Sequence, residues 1–162
     1  MNAIFGKSGE IVVETKELTD EIIDKVSERL GGTMVFVQTG SESQPVEEQW
    51  EVDFYFATKN GKKYGVAIIE VQPGKWGPVE FIVAMDLKGV VRNVKVMSYQ
   101  EQRGRPIAQS SFLNQYRGKS SRDQLQVGKD IIGISGATIS SRAATFTVKK
   151  AIALYEVIYL NK

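Results

Sequence analysis

The sequence predicts an α+β fold: a mostly antiparallel sheet, a long C-terminal helix and shorter flanking helices. Three observations carry this. Two strand-like runs turn back on themselves, at Asn60-Gly61 and around Lys88-Gly89, as β-hairpins do. Trp50, Val52, Phe54 and Phe56 alternate with Glu51, Asp53 and Tyr55, the period of a half-buried strand. From Ile139 to Leu160 the spacing becomes helical, through Ala143, Ala144, Val148, Ala151, Ile152, Tyr155 and Ile158.

Residues 1–18 are polar and weakly patterned, with a short strand at Ile11-Val12-Val13. A helix opens after Leu18. Thr19 is its N-cap, Asp20 and Glu21 suit the first turn, and Leu18 is placed to staple to Ile23. Ile22, Ile23, Val26 and Leu30 form one apolar face, and Gly31-Gly32 stops the helix. Met34 to Val37 reads as a short strand and residues 40–45 as a loop. Tyr64 to Val71 is the partner of the Trp50–Phe56 strand, and Val79–Met85 with Val90–Met97 is the second hairpin. Pro106 to Tyr116 reads as a short helix with proline in its first turn, followed by a polar connection over 117–130. No internal repeat or low-complexity segment is visible.

The 162 residues suit one domain, 1–162, long enough to bury about two-thirds of the unfolded surface. Hydrophobic residues make up 42% and charged residues 25%, and the formal net charge is +2. Without a Lys/Arg block, nucleic acid is not an expected partner. The chain has no Cys and no His. This removes the common nucleophile–base pairs and the usual zinc, haem and iron–sulfur ligands, so no metal site is expected. Any redox chemistry then needs an organic cofactor. No apolar run reaches the ~20 residues of a membrane span, and no signal-like apolar region follows Met1.

The most informative segment is Gly133-Ile134-Ser135-Gly136-Ala137-Thr138-Ile139-Ser140-Ser141-Arg142, which leads into the last helix. A helix N-terminus carries unpaired N–H groups and the positive end of the helix dipole, a ready anion site. Gly133 and Gly136 allow close backbone approach, while Ser135, Thr138, Ser140 and Ser141 offer hydroxyls and Arg142 a charge. A plain capped helix has the same composition. It is not a P-loop, because the Gly-Lys-Ser/Thr ending is missing.

Ser-Gly-Ala-Thr-Ile-Ser-Ser at 135–141 resembles the signature of the FMN-binding domain family. That family includes the FMN-carrying subunits of the sodium-translocating NADH:quinone reductase and of the Rnf complex. Gly74-Lys75-Trp76-Gly77-Pro78, Glu80-Phe81-Ile82-Val83-Ala84 and Arg103-Gly104-Arg105-Pro106-Ile107-Ala108 are also similar to small members of the family, and the resemblance spans about residues 60–160. It implies FMN as cofactor, joined through its phosphate to Thr138 by a flavin transferase. The family usually has an Asp three residues before the Ser, where this chain has Ile132; Asp130 lies two residues earlier. Covalent FMN at Thr138, non-covalent FMN and a degenerate site all stay open.

Trp76 and Gly77 suit a tight loop between strands; under the resemblance they approach the flavin ring. Arg103 and Arg105 suit a solvated basic turn, or a positive group facing the flavin phosphate or its electron-rich edge. Lys149 and Lys150 read as surface charges.

The expected function is an FMN-carrying electron-transfer domain, a carrier within a redox chain rather than an independent enzyme. Ser135, Gly136 and Ala137 would shape the loop, and Ser140, Ser141 and Arg142 would support the phosphate. Its partners would be a flavin transferase and a redox protein of a membrane electron-transport complex. The native full-length protein would be extracytoplasmic or membrane-associated, as family members often are. Two alternatives are a non-catalytic protein-binding module and a flavin reductase with non-covalent FMN. No dinucleotide fingerprint supports the latter.

Overall fold

A computed structural model describes residues 2–5, 9–35, 49–74, 77–99 and 110–162. Strands β1 (Glu10–Glu17), β2 (Glu51–Lys59), β3 (Lys62–Gly74), β4 (Gly77–Met85) and β5 (Val91–Tyr99) form one sheet in the order β1-β2-β3-β4-β5. Every neighbouring pair is antiparallel. Helices α1 (Asn2–Phe5), α2 (Asp20–Arg29), α3 (Ser110–Leu113) and α4 (Thr138–Tyr155) complete the α+β architecture expected from the sequence.

Local chemistry explains the turns. Asn60 and Gly61 both have positive φ (53° and 76°), so β2 and β3 are joined by a turn whose twist matches the strands. Asp86 holds the β4–β5 turn: its Oδ1 accepts from the backbone N of Lys88 (2.9 Å) and Val90 (3.0 Å). The Thr19 hydroxyl accepts from Ile22 N at 3.3 Å and caps α2. That helix ends in a Schellman pair, Gly32 N to Ser27 O (2.7 Å) and Gly31 N to Glu28 O (3.3 Å).

The register decides what is buried. Phe56 pairs with Val12 and Val66, Val66 with Met85, and Val83 with Ile68 and Val94. Since alternate strand residues share a face, Val52, Phe54, Phe56, Val66, Ile68, Phe81 and Val83 line one side. They merge with Val148, Ala151, Ile152 and Leu154 of α4 in one apolar core. Phe54 meets the Tyr159 ring edge-on at 4.8 Å, an arrangement aromatic quadrupoles favour. On the opposite face Ala67, Ile82 and Ala84 pack against Ile4 and Phe5 of α1. Two contacts orient α4. Lys150 reaches Glu70 in β3, and the Tyr155 hydroxyl donates to Leu87 O at 2.7 Å, beside the Asp86–Val90 turn. The N-terminus of α4 therefore points to the opposite end of the sheet, which carries Gly74 and Gly77.

Several expectations are corrected. Met34 and Val35 lie in bends rather than in a strand, although Met34 is buried; residues 36–37 and the 40–45 loop lie outside the described residues. Of the helix expected over 106–116, the described part is α3 followed by a 3-10 turn at Asn114–Tyr116, and 106–109 lie outside the described residues. The last helix is α-helical to Tyr155 and continues as a π-turn over Glu156–Leu160. Trp50 precedes β2 and is 66% exposed, so the buried alternation starts at Val52. The strand at 11–13 extends over the whole of β1.

Candidate functional site

The segment before α4 is a loop with little side-chain capping. Ala137 occupies the N-cap position (φ −133°, ψ 39°), and among the described residues no side chain caps the helix. An uncapped start leaves first-turn N–H groups without intrahelical partners. Thr138 is exposed as the first helical residue, and Ser135 and Gly136 are exposed beside it. Gly136 has φ +81°, and a Cβ there would meet no heavy atom within 4 Å, so backbone conformation, not crowding, asks for glycine. Gly133 is the reverse case: a Cβ would lie 2.8 Å from Val127 Cγ1.

The hydroxyls divide into two kinds. Ser141 is fully buried; its Oγ accepts from Ile134 N (3.1 Å) and donates to Ala137 O (2.8 Å), clasping the loop onto the first turn. Ser140 is 7% exposed, and its hydroxyl has no hydrogen-bond partner among the described residues. A buried hydroxyl without a partner is costly, so Ser140 marks a place where a polar ligand atom would be welcome. Arg142 is exposed and makes no ion pair among the described residues.

The backbone leading into this loop is gripped from outside. Gln115 Oε1 accepts from Ile132 N (2.7 Å) and Gln115 Nε2 donates to Ile132 O (3.0 Å), while the Ile132 side chain is 78% exposed. Asp130 serves the same connection: its two carboxylate oxygens accept from Leu125 N and Gln126 N, each at 2.9 Å. Desolvation pushes the Asp130 carboxyl up, but these N–H groups and Lys119 outweigh it and hold it below the ordinary carboxylate range. Asp130 is thus committed to the fold of its own loop.

Gly77 opens β4 at the end of the sheet toward which α4 points. Trp76, Arg103 and Arg105 lie outside the described residues. Among the described residues no group of three or more acidic side chains gathers as a metal site would require.

Lys150 departs from expectation. It is 3% exposed, its ammonium sits 3.0 Å from Glu70 Oε2, and it donates to Gln49 Oε1 at 2.8 Å. Sequence reasoning missed this pair and the Gln115 clamp. A signal existed for Lys150, which falls at helical spacing from Ala143, Thr147 and Leu154, all buried. Gln115 carries no motif that could have singled it out.

A family model described as the FMN-binding domain matches residues 74–153, about half of the chain. The chain belongs to the FMN-binding domain family. The family's defining ligand is FMN, the cofactor anticipated from the 135–141 motif. The G subunit of the ion-translocating oxidoreductase complex of Aliivibrio fischeri (strain MJ11) is 33% identical over 114 residues, covering 63% of this chain and 54% of that protein. The G subunit of the proton-translocating ferredoxin:NAD(+) oxidoreductase complex of Clostridium ljungdahlii is 32% identical over 108 residues, covering 62% and 58%. Its counterpart in the Na(+)-translocating ferredoxin:NAD(+) oxidoreductase complex of Acetobacterium woodii is 30% identical over 121 residues, covering 68% and 57%. The chain spans a little over half the length of these curated relatives. Among solved structures, NqrC of Shewanella oneidensis superposes with a TM-score of 0.59 over 99% of this chain and 88% of that one, at 16% identity. That likeness concerns the fold. It agrees with an antiparallel sheet backed by a long helix.

Proposed function

We propose that this family member is an electron-transfer domain whose FMN phosphate sits on the 133–142 loop and the N-terminus of α4, esterified to Thr138. The observation that carries the reading is the α4 N-terminus, whose N-cap residue Ala137 makes no side-chain cap, with the Ser140 hydroxyl, unpartnered among the described residues, buried beside it. The residues present fit the phosphate group of FMN. N–H groups and the helix dipole offset its charge, Gly136 keeps the approach open, and Thr138 presents an exposed hydroxyl. Ser135 and Ser140 would donate to phosphate oxygens, Arg142 would add positive charge, and Ala137 would keep the cap position small. Ser141, whose hydroxyl already links Ile134 and Ala137, is assigned to shaping the loop. Bound there, FMN supplies the uptake and release of electrons. Trp76 and Gly77 are proposed to lie at the ring, and Arg103 or Arg105 at the phosphate or the ring's electron-rich edge.

The relatives named above are subunits of ion-translocating complexes, and translocation is a membrane process. We therefore propose a redox partner within such a complex, a place at the membrane, and maturation by a flavin transferase with FAD as donor: the Thr138 hydroxyl gives up its proton and bonds to the flavin-side phosphorus as the FAD pyrophosphate bond breaks and AMP leaves. Among the described residues no helix is long and apolar enough to cross a membrane. Non-covalent FMN is the second reading, favoured by the exposed Ile132 where the family usually carries Asp.

The test is peptide mass spectrometry of protein made with and without a flavin transferase. Thr138→Val keeps the shape and removes the ester oxygen, so the adduct should vanish while the melting temperature, set away from this exposed residue, stays put. Ser135→Ala and Ser140→Ala should weaken FMN binding by roughly 1–3 kcal/mol, the range for hydrogen bonds to a charged group, without removing the adduct. If wild type is poorly modified, Ile132→Asp should raise the yield. An adduct mapped to Ser135, Ser140 or Ser141 would overturn the Thr138 assignment. No adduct in either wild type or Ile132→Asp would favour the non-covalent reading.

A further inference from the structure

We infer that Gln115 is a positioning residue for the phosphate-binding loop, holding its backbone in the shape that receives FMN. The inference rests on the FMN reading above. The Gln115 side-chain amide pairs with both backbone groups of Ile132, N–H to Oε1 at 2.7 Å and Nε2–H to O at 3.0 Å. That is the donor–acceptor pairing of a neighbouring strand, supplied by a side chain. It fixes the chain three residues before Ser135.

The next residue grips the far side. Tyr116 is fully buried, and its hydroxyl lies 2.8 Å from Thr145 Oγ1. Thr145 commits its single hydroxyl proton to Ser141 O (2.8 Å), so the phenol is the donor in that pair. Burial pushes the Tyr116 phenol well above its ordinary value and keeps it protonated for this purpose. Ser141 in turn clasps Ile134 and Ala137. Two consecutive residues of the Asn114–Tyr116 turn therefore hold the loop from both ends, at Ile132 and through the first turns of α4. Between these anchors Ser135 and Gly136 are exposed.

A loop held in this way need not be ordered when the phosphate arrives, so binding is spared that entropy. Releasing one anchor restores the cost. The loss should fall on phosphate binding and spare the flavin ring, which the proposed reading assigns to residues outside this loop. Gln115 is half-exposed, so neither truncation nor an apolar replacement of similar size opens a core cavity.

The experiment compares FMN and riboflavin affinity, by fluorescence titration, for wild type, Gln115→Ala and Gln115→Met. Both variants should bind FMN roughly tenfold more weakly, the worth of two neutral hydrogen bonds, and bind riboflavin as wild type does. In the flavin-free protein, hydrogen exchange at the Ile132 amide should speed up, and so should exchange at Ile134. Equal losses for FMN and riboflavin, or FMN affinity within twofold of wild type, would overturn the inference while leaving the FMN reading intact. A wild-type protein with no preference for FMN over riboflavin would overturn the phosphate-loop reading and this inference with it.

Discussion

Lys150 and Glu70 are drawn out of water between α4 and β3, with side chains only 4% and 6% exposed and the Gln49 amide over the ammonium. Removing two ions from water is expensive, and their attraction in the interior offsets this only when both are present. Deleting one partner leaves a buried charge alone. Lys150→Met should therefore destabilise the protein by about 3–5 kcal/mol in urea denaturation, because the Glu70 carboxylate loses its counter-ion. Lys150→Met combined with Glu70→Leu should cost much less than the single change, since neither charge then remains to be desolvated. A double variant no more stable than Lys150→Met would mean that the pair contributes packing rather than charge balance.

At the scale of the element, the approach to α4 from Gly133 to Ala137 is shaped by two glycines for different reasons. Gly133 must stay small because a Cβ would strike Val127 Cγ1 at 2.8 Å. Val127 has little freedom to retreat, being bridged to Ile131 in a loop that Asp130 holds closed. Gly136 must stay flexible, having φ +81° and open space around it. Gly133→Ala should cost about 1–3 kcal/mol by overpacking, and Val127→Ala in the same chain should recover most of it. Gly136→Ala should cost about 1 kcal/mol through the left-handed backbone, with no recovery from Val127→Ala. Thermal unfolding of the four variants separates the two causes. Recovery of both glycine variants by Val127→Ala would contradict this division.

For the whole molecule, titration sets a stability window. The Glu14 carboxyl is held below its ordinary range chiefly by the hydrogen bond from Lys63, with desolvation opposing and the Tyr159 hydroxyl assisting. Asp130 is depressed as well, its loop N–H groups overcoming desolvation. Groups depressed in the fold contribute stability above their unfolded pKa, and it is lost as pH falls through the folded value, here below about pH 4. Tyr116, Tyr155 and Tyr159 are shifted the other way, first by burial. Their contribution is present below the unfolded phenol value and is lost as pH rises above about 10. The urea midpoint should thus be flat near neutrality and fall at both extremes. Asp130→Asn should make the acid limb shallower and Tyr116→Phe the alkaline limb. An acid limb equally steep in Asp130→Asn would assign acid sensitivity to other carboxylates.

What the chain states locally, the sequence by itself determined. The Asn60-Gly61 turn, the Thr19 cap, the alternation from Val52 to Phe56 and the hydroxyl-rich approach to α4 each depend on residues a few positions apart, whose periods are properties of backbone geometry. The same is true of the 135–141 motif, which carries the family. Tertiary structure decided everything that needed a distant partner. Lys150 is a surface lysine until Glu70, eighty positions away, takes it inside. Gln115 is an ordinary turn residue until Ile132 arrives, seventeen positions on. Ser140 and Ser141 are adjacent and alike in sequence, yet one hydroxyl is committed to Ile134 and Ala137 while the other faces no partner among the described residues. Burial and hydrogen-bond supply at a position depend on which segments pack there, and no local pattern encodes that.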